Sequence, residues 1–397
     1  MNTSLKTSDD VLVTADRKLR VLHLVPSVSE GGAEKVMFDL ASHQISAGHE
    51  VIVVSIARRN TPPAWFHSEH GDWNSVRSLD WPLRYDKPMN LWGARRKLRQ
   101  VLIEFKPDIL HSHLWAADIV ASLSVDPQKT LHVSHLHTRE KWKDSRRWKH
   151  RLRRLFSRWL FQRSKTRFIA CSPAVKDNER RVMGWPAELI DVAQNAANSE
   201  RFQPSVRLRT GCLRVGSAGW FSQIKGHSLL IDSVADLVSE DLDLELVIAG
   251  DGSLREDYLR QASRRGIAER LILPGSVTDM PAFYQSLDLF VLPSYEEGMP
   301  LVVLEAIASG LCVVASALPG MEDAVQPEVN GLLFPIGDRP ALTAALRRIL
   351  RDPELASRMG TASRRIALQG HTPGAAARHV EAIYRRRLEA QATCQNQ

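Results

Sequence analysis

Cysteine is scarce in this 397-residue chain, and its four copies, Cys171, Cys212, Cys312 and Cys394, are scattered with no C-x-x-C pair. That pattern argues against a disulfide framework or a cysteine-based zinc site and fits reduced thiols in a cytoplasmic protein. Long apolar runs are missing too: no uninterrupted stretch approaches the ~18 residues that a membrane-spanning helix needs. The opening MNTSLKTSDDVLVTADRK carries acids and no continuous apolar centre, so it is not expected to act as a secretory signal. Short-period repeats and low-complexity tracts are absent. What remains is a globular composition, 44% apolar and 25% charged. At this length a single core is too small a unit, and two domains are the natural expectation.

The net charge of +8 is concentrated in one place. Residues 139–167 hold 13 Lys/Arg against 2 Asp/Glu, a net of +11 that leaves the rest of the chain slightly acidic. Within that segment Trp148, Leu152, Leu155, Phe156, Trp159 and Leu160 recur on one helical face. Two readings stand. The face packs on a sheet as any crossover helix would, or the helix lies on an anionic membrane surface, and both can hold in part, with packing below and lipid contact at the rim. No nucleic-acid-binding motif accompanies the basic surface, so no nucleic-acid partner is expected.

From Lys18 onward, strand and helix patterns alternate. RVLHLVP (20–26), HEVIVVSI (49–56), PDILHSH (107–113), LHVSHLH (131–137) and RFIACS (167–172) read as buried parallel strands. Residues 61–88 break the rhythm with prolines and tryptophans and read as an irregular insertion. A second series begins after AQNAANSERFQP (193–204): CLRVGSAG, LELVIAGDG, RLILPGSV, DLFVLPS and LCVVAS, again separated by helical stretches. Two such series predict an α/β chain of two doubly wound Rossmann-like domains facing a cleft, with ligands at the strand carboxyl ends. The expected division is a flexible 1–17, a first domain over 18–192, a second over 193–374, and a C-terminal helix, 375–397, returning to the first.

Three stretches carry candidate chemistry. SYEEGMPLVVLEAIASG (294–310) places Glu297 at a helix mouth and Glu305 further in, with Pro300 suited to the first helical turn. Amides near Gly298, Met299 and Leu301 would favour an anion. The two carboxylates can accept hydrogen bonds from vicinal hydroxyls; the alternative is that Glu297 complements the helix dipole and Glu305 is structural. GWFSQIKGH (219–227) sets Lys225 between a glycine turn and a helix, either a phosphate ligand or a solvated loop lysine. VPSVSEGGAEKV (25–36) puts Gly31 and Gly32 at another helix start, where backbone can approach a ligand closely.

Taken in order, GGAE (31–34), QNAANSERF (194–202), IKGH (224–227), IAGDG (248–252), EEGMPLVVLEAIASG (296–310), PG (319–320) and NGLLF (330–334) resemble the group 1 family of retaining GT-B glycosyltransferases. The resemblance runs from about Lys18 to Arg386. It implies a hexosyltransferase-type enzyme that uses a UDP- or GDP-linked sugar as co-substrate, with no further cofactor and no metal. The acceptor would be a sugar or lipid-linked saccharide in envelope polysaccharide or lipopolysaccharide-type glycolipid assembly, on the cytoplasmic face of the membrane. Residue by residue, Glu297 would bind the donor sugar, Glu305 the ribose and Lys225 the diphosphate. The turns Gly298–Leu301 and Gly31–Gly32 would help hold sugar and phosphate. His137 falls where many relatives carry a histidine near the reacting centre, and a structural histidine is its other reading.

The sequence departs from the family pattern at three positions. Trp220 stands where an arginine usually joins the lysine on the diphosphate, which leaves Arg214 or another arginine to substitute. Ala196 replaces a linker glycine and Asp323 a glutamate. The loss at Trp220 keeps open a catalytically silent binding subunit, and the fold alone also accommodates an epimerase or a phosphorylase. DLD (241–243) precedes a strand and reads as a solvated acidic turn rather than a metal motif; no His/Cys/Asp set has ligand spacing along the chain.

Overall fold

Short β-branched runs without polar alternation belong to strands covered on both faces. Each of the ten expected runs is a strand in the computed structural model, which describes residues 17–28, 31–57, 76–82, 91–139, 141–205, 211–370 and 372–395. The first series gives β1 (Arg20–Val25), β2 (Glu50–Ser55), β3 (Val76–Ser78), β4 (Ile109–His113), β5 (Leu131–Leu136), β6 (Arg167–Ala170) and β7 (Ile190–Val192). They form one parallel sheet in the order β3-β2-β1-β4-β5-β6-β7. The second series gives β8 (Leu213–Ala218), β9 (Leu244–Ala249), β10 (Leu271–Gly275), β11 (Leu289–Leu292), β12 (Val313–Ser316) and β13 (Gly331–Phe334). These form a parallel sheet in the order β10-β9-β8-β11-β12-β13.

Strand order reverses between β1 and β4 in one sheet and between β8 and β11 in the other. At such a point the crossovers leave on opposite faces and open a crevice at the carboxyl ends. The three candidate stretches follow β1, β8 and β11, so topology alone aims them at the crevices. Most of the insertion expected over 61–88 lies outside the described residues. Its described part, 76–82, contains β3, an edge strand on β2 rather than irregular chain. The N-terminal segment through residue 16 also lies outside the described residues. The strands β7 and β13, three and four residues long, are too short to stand out along the sequence as apolar runs.

The C-terminal helix Pro373–Gln395 packs against the first helix, Gly32–Ser46. It buries Ala377, Val380, Ile383 and Tyr384, and the Tyr384 hydroxyl meets His111 Nδ1 at 2.5 Å. Arg387 and Arg386 add ion pairs to Asp191.

The basic segment forms a helix over Trp148–Arg163, and the packing reading of its apolar stripe fails. The face turned inward is Ser157, Leu160 and Phe161. Trp148, Leu152, Leu155, Phe156 and Trp159 point outward, each 46–66% exposed. Leu160 alone of the expected stripe is buried. No helix among the described residues is long and apolar enough to cross a membrane.

Removing a buried aromatic ring of this kind costs about 3–5 kcal/mol. Tyr384→Ala should therefore lower the thermal midpoint of unfolding by several degrees, although Tyr384 lies 273 residues from its partner His111. Calorimetric melting of the variant beside the parent chain checks this, and an unchanged midpoint would mean that the helix is loosely docked.

Candidate active site

The loop after β11 ends in the helix Leu301–Ala308. Pro300 is its N-cap, in extended conformation at φ −72° and ψ 120°, and not its first helical residue as the sequence suggests. A proline there still fits, because the group it lacks is an amide hydrogen that this position does not use in the helix. Gly298 lies against the first domain: a Cβ at this position would sit 2.3 Å from the His137 carbonyl oxygen and 3.1 Å from Cys171 Sγ. Only glycine permits that approach. Next to it, Asn195 Nδ2 donates to the Met299 carbonyl at 2.8 Å, which ties the interdomain segment to the same turn.

The start of the first helix faces the start of this one. A Cβ on Gly32 would lie 3.5 Å from Leu301 Cδ1, so two helix N-termini, one per domain, open on a common space. Gly31, Gly32, Trp220, Leu301 and Glu305 all line this cavity, together with Lys35 and Arg201. Ser29 and Glu30 of the same loop lie outside the described residues.

Both expected carboxylates are paired with a lysine. Lys225, at the end of the turn Gln223–Lys225, donates to Glu297 Oε1 at 2.7 Å, and the Ser294 hydroxyl donates to the same oxygen at 2.8 Å. Lys225 also packs on Gly219, which borders the cavity, although neither it nor Glu297 lines the cavity directly. Glu305 is buried; Lys35 reaches across from the first domain to its Oε1 at 2.6 Å, and the Tyr284 hydroxyl donates to its Oε2 at 2.9 Å. Half-buried Asp39 lies near this pair, and its pKa is pushed up to about 6 by loss of solvation, against the pull of Lys35.

His137 is the first residue after β5, half-buried, with Nε2 2.9 Å from His113 Nδ1. Burial lowers its pKa to about 3, so the ring is neutral and can serve as a hydrogen-bond partner but not as a fixed charge. Trp220 projects from the cavity wall with 63% of its surface exposed. Arg214 cannot stand in for the missing arginine, since it sits at the opposite end of β8, paired with Glu245. The positive charge in the cavity comes instead from Lys35 and Arg201, which sequence reading missed. For Lys35 a signal existed: it lies one helical turn beyond Gly31, on the face its backbone shares with the glycine loop. A larger hollow, bordered by Pro204, Asp288, Gly310 and Arg364, lies at the amino ends of β11 and β12 and is remote from these groups.

The acidic turn reading of 241–243 holds: Asp243 pairs with Arg270 at the surface. A metal motif is invisible along the chain, but strand pairing sets His23 beside His111 and His113 beside His135, a clustering that sequence spacing does not reveal.

The comparisons with known proteins follow the same two-part division. The family model described as Glycosyltransferase Family 4 matches residues 30–201, and that described as Glycosyl transferases group 1 matches residues 210–352. The chain belongs to the group 1 glycosyltransferases. This glycosyltransferase is 27% identical to glycogen synthase of Mycobacterium tuberculosis, across 88% of this chain and 89% of that one. Among solved structures it resembles Anabaena HepE in complex with UDP-glucose, with a TM-score of 0.77 and 22% identity over 92% of this chain and 99% of that one. It also resembles WaaG, a glycosyltransferase involved in lipopolysaccharide biosynthesis, with a TM-score of 0.69 and 16% identity over 90% and 98% of the two chains. The facing doubly wound domains are thus the GT-B fold, and the protein is an enzyme of the hexosyltransferase type.

His227, two residues beyond Lys225, begins the next helix fully buried between Phe221 and Tyr258, and neither ring nitrogen has a partner among the described residues. Burial lowers its pKa from 6.5 to about 3, with Lys225 adding to the effect. Because the folded value lies below the unfolded one, stability is undiminished above pH 6.5 and is lost as pH falls toward 3. The loss is about 1.4 kcal/mol per pH unit for one such proton. Urea unfolding at pH 7 and pH 5 should show His227→Gln with a shallower acid loss than the parent, by about that amount per unit. Identical pH slopes in the two proteins would refute the neutral, buried assignment.

Proposed function

We propose that the enzyme transfers a sugar, with retention, from a nucleotide-sugar donor to a hydroxyl of a sugar or lipid-linked saccharide in cell-envelope polysaccharide or glycolipid assembly. The second domain, from about residue 193, binds the donor, and the first, over 18–192, receives the acceptor. The observation that carries this reading is the convergence of two helix N-termini and Glu305 on one interdomain cleft, with Lys225 packed behind Gly219 at its border.

In this reading the ribose diol takes over Glu305, where Lys35 is now held, and Lys225 leaves Glu297 for the diphosphate. Glu297, thereby freed, accepts hydrogen bonds from the donor sugar. As the bond from the anomeric carbon to the phosphate oxygen breaks, negative charge grows on the departing nucleoside diphosphate. Lys225 and the amides of the turns Gly31–Gly32 and Gly298–Leu301 oppose it. The acceptor oxygen bonds to the anomeric carbon and its proton passes to the departing diphosphate. Neutral His137 borders the sugar and orients it by hydrogen bonding. Trp220 offers a flat face in place of a charge, with Lys35 and Arg201 as the remaining cations of the cavity. The likeness to HepE, solved with UDP-glucose, favours UDP over GDP.

Calorimetric titration with UDP and GDP tests the donor site. One nucleotide should bind saturably, and Lys225→Ala and Glu305→Ala should each weaken it by about 10- to 100-fold, the effect of losing a charge-assisted hydrogen bond. A folded protein that binds neither nucleotide would point instead to a silent pocket marked by Trp220.

The outward stripe of Trp148, Leu152, Leu155 and Trp159, flanked by arginines, supports seating of the first domain on an anionic membrane surface, where a lipid-linked acceptor is found. Sedimentation with vesicles should then show binding that needs anionic lipid and weakens with salt. Replacing Leu155 and Trp159 by serine should cut binding at least tenfold while leaving nucleotide affinity intact. Equal binding of parent and double variant would remove the membrane role.

A further inference from the structure

Five histidines crowd one face of the first sheet, and the donor cleft uses only His137. Strand alternation puts His111 and His113 of β4 on one side, as it does His135 and His137 at the end of β5. Parallel register then sets His23 of β1 next to His111, and His113 next to His135. His23, His111 and His113 are completely buried, and one ring nitrogen from each lies within 4.8 Å of the others.

The hydrogen bonds decide which nitrogen each ring turns inward. His23 Nε2 meets the side-chain oxygen of Gln44 at 2.8 Å, which leaves Nδ1 for the cluster. His111 Nδ1 meets the Tyr384 hydroxyl at 2.5 Å and leaves Nε2, a buried atom without a hydrogen-bond partner. His113 Nδ1 meets His137 Nε2 at 2.9 Å and leaves its own Nε2. His23 Nδ1 and His113 Nε2 stand 3.1 Å apart and can share one proton at most. A tetrahedral ion with bonds of about 2.1 Å to nitrogen needs ligand atoms about 3.4 Å apart.

We propose that His23, His111 and His113 form a binding site for a divalent transition-metal ion in the core of the first domain. Three neutral imidazoles suit zinc, copper or nickel, and each ring is oriented by its own outer partner, the arrangement that metal-bound histidines need. His135 stacks on His111 and His113 with both nitrogens unpartnered among the described residues and is a further candidate donor. Two of the three outer partners come from different helices: Gln44 from the first, whose start lines the donor cleft, and Tyr384 from the C-terminal one. Metal occupancy therefore clamps both helices to the sheet. The site meets the reacting centre through the hydrogen bond between His113 and His137, and metal binding can be measured without the proposed transfer reaction.

The test uses the full chain, stripped by chelator dialysis and titrated with Zn(II) and Co(II). One equivalent of Zn(II) should bind with micromolar or tighter affinity in competition with a chromophoric chelator, and should raise the melting temperature by several degrees. Co(II) should give visible d–d absorption from a low-symmetry nitrogen site. His111→Gln and His23→Gln should weaken Zn(II) binding at least 100-fold and abolish the thermal shift, while Tyr384→Phe should weaken it about 10- to 100-fold. His132→Gln, on the opposite face of β5, should change neither affinity nor spectrum. Absence of Co(II) absorption and of tight Zn(II) binding in the folded parent chain would overturn the proposal without recourse to any variant. So would tight binding that survives His111→Gln.

Discussion

The contact of Gly298 with the carbonyl of His137 fixes how the two halves of this enzyme meet. A methyl group at that point would push against backbone and sulfur, neither of which can swing aside. With the contact made, the helix beginning at Leu301 is brought over the glycine loop of the first domain, and Lys35 reaches Glu305. The cleft is thus the consequence of one tight approach between main chains, reinforced by Asn195 holding the Met299 carbonyl. Polar side chains then act across a gap whose width the backbone has already set.

Charge in that gap is balanced internally. Lys225 neutralises Glu297, and Lys35 neutralises Glu305 at a position almost sealed from solvent. A buried pair of this sort offers little net stability, because desolvation offsets much of the attraction. Its value lies in exchange. A ligand that carries both anionic phosphate and neutral hydroxyls can take over both lysines and both carboxylates without leaving a charge unmatched.

Sequence reading recovers the strands well because parallel strands covered on both faces must be short and continuously apolar, as RVLHLV and LELVIA are. The motifs beside the cleft are equally legible, since Lys225, Glu297 and Glu305 each lie within a few residues of a strand end or helix start. Two things escaped. The stripe on the helix Trp148–Arg163 has the same period whether it faces sheet or solvent, and period alone does not give direction. The histidines of three strands become neighbours only through register, as do Lys35 and Glu305, 270 residues apart. Long-range pairing leaves no trace in local spacing.

The return of the last helix to the first domain has a consequence for biosynthesis. His111 is made 273 residues before its partner Tyr384. Domains ordinarily fold as units in order of synthesis. Here the half made first waits, with a strip of apolar surface uncovered beside Val36 and Leu40, until the half made second is complete. A chain cut short before residue 373 would therefore expose apolar surface on the very domain whose own sequence is intact.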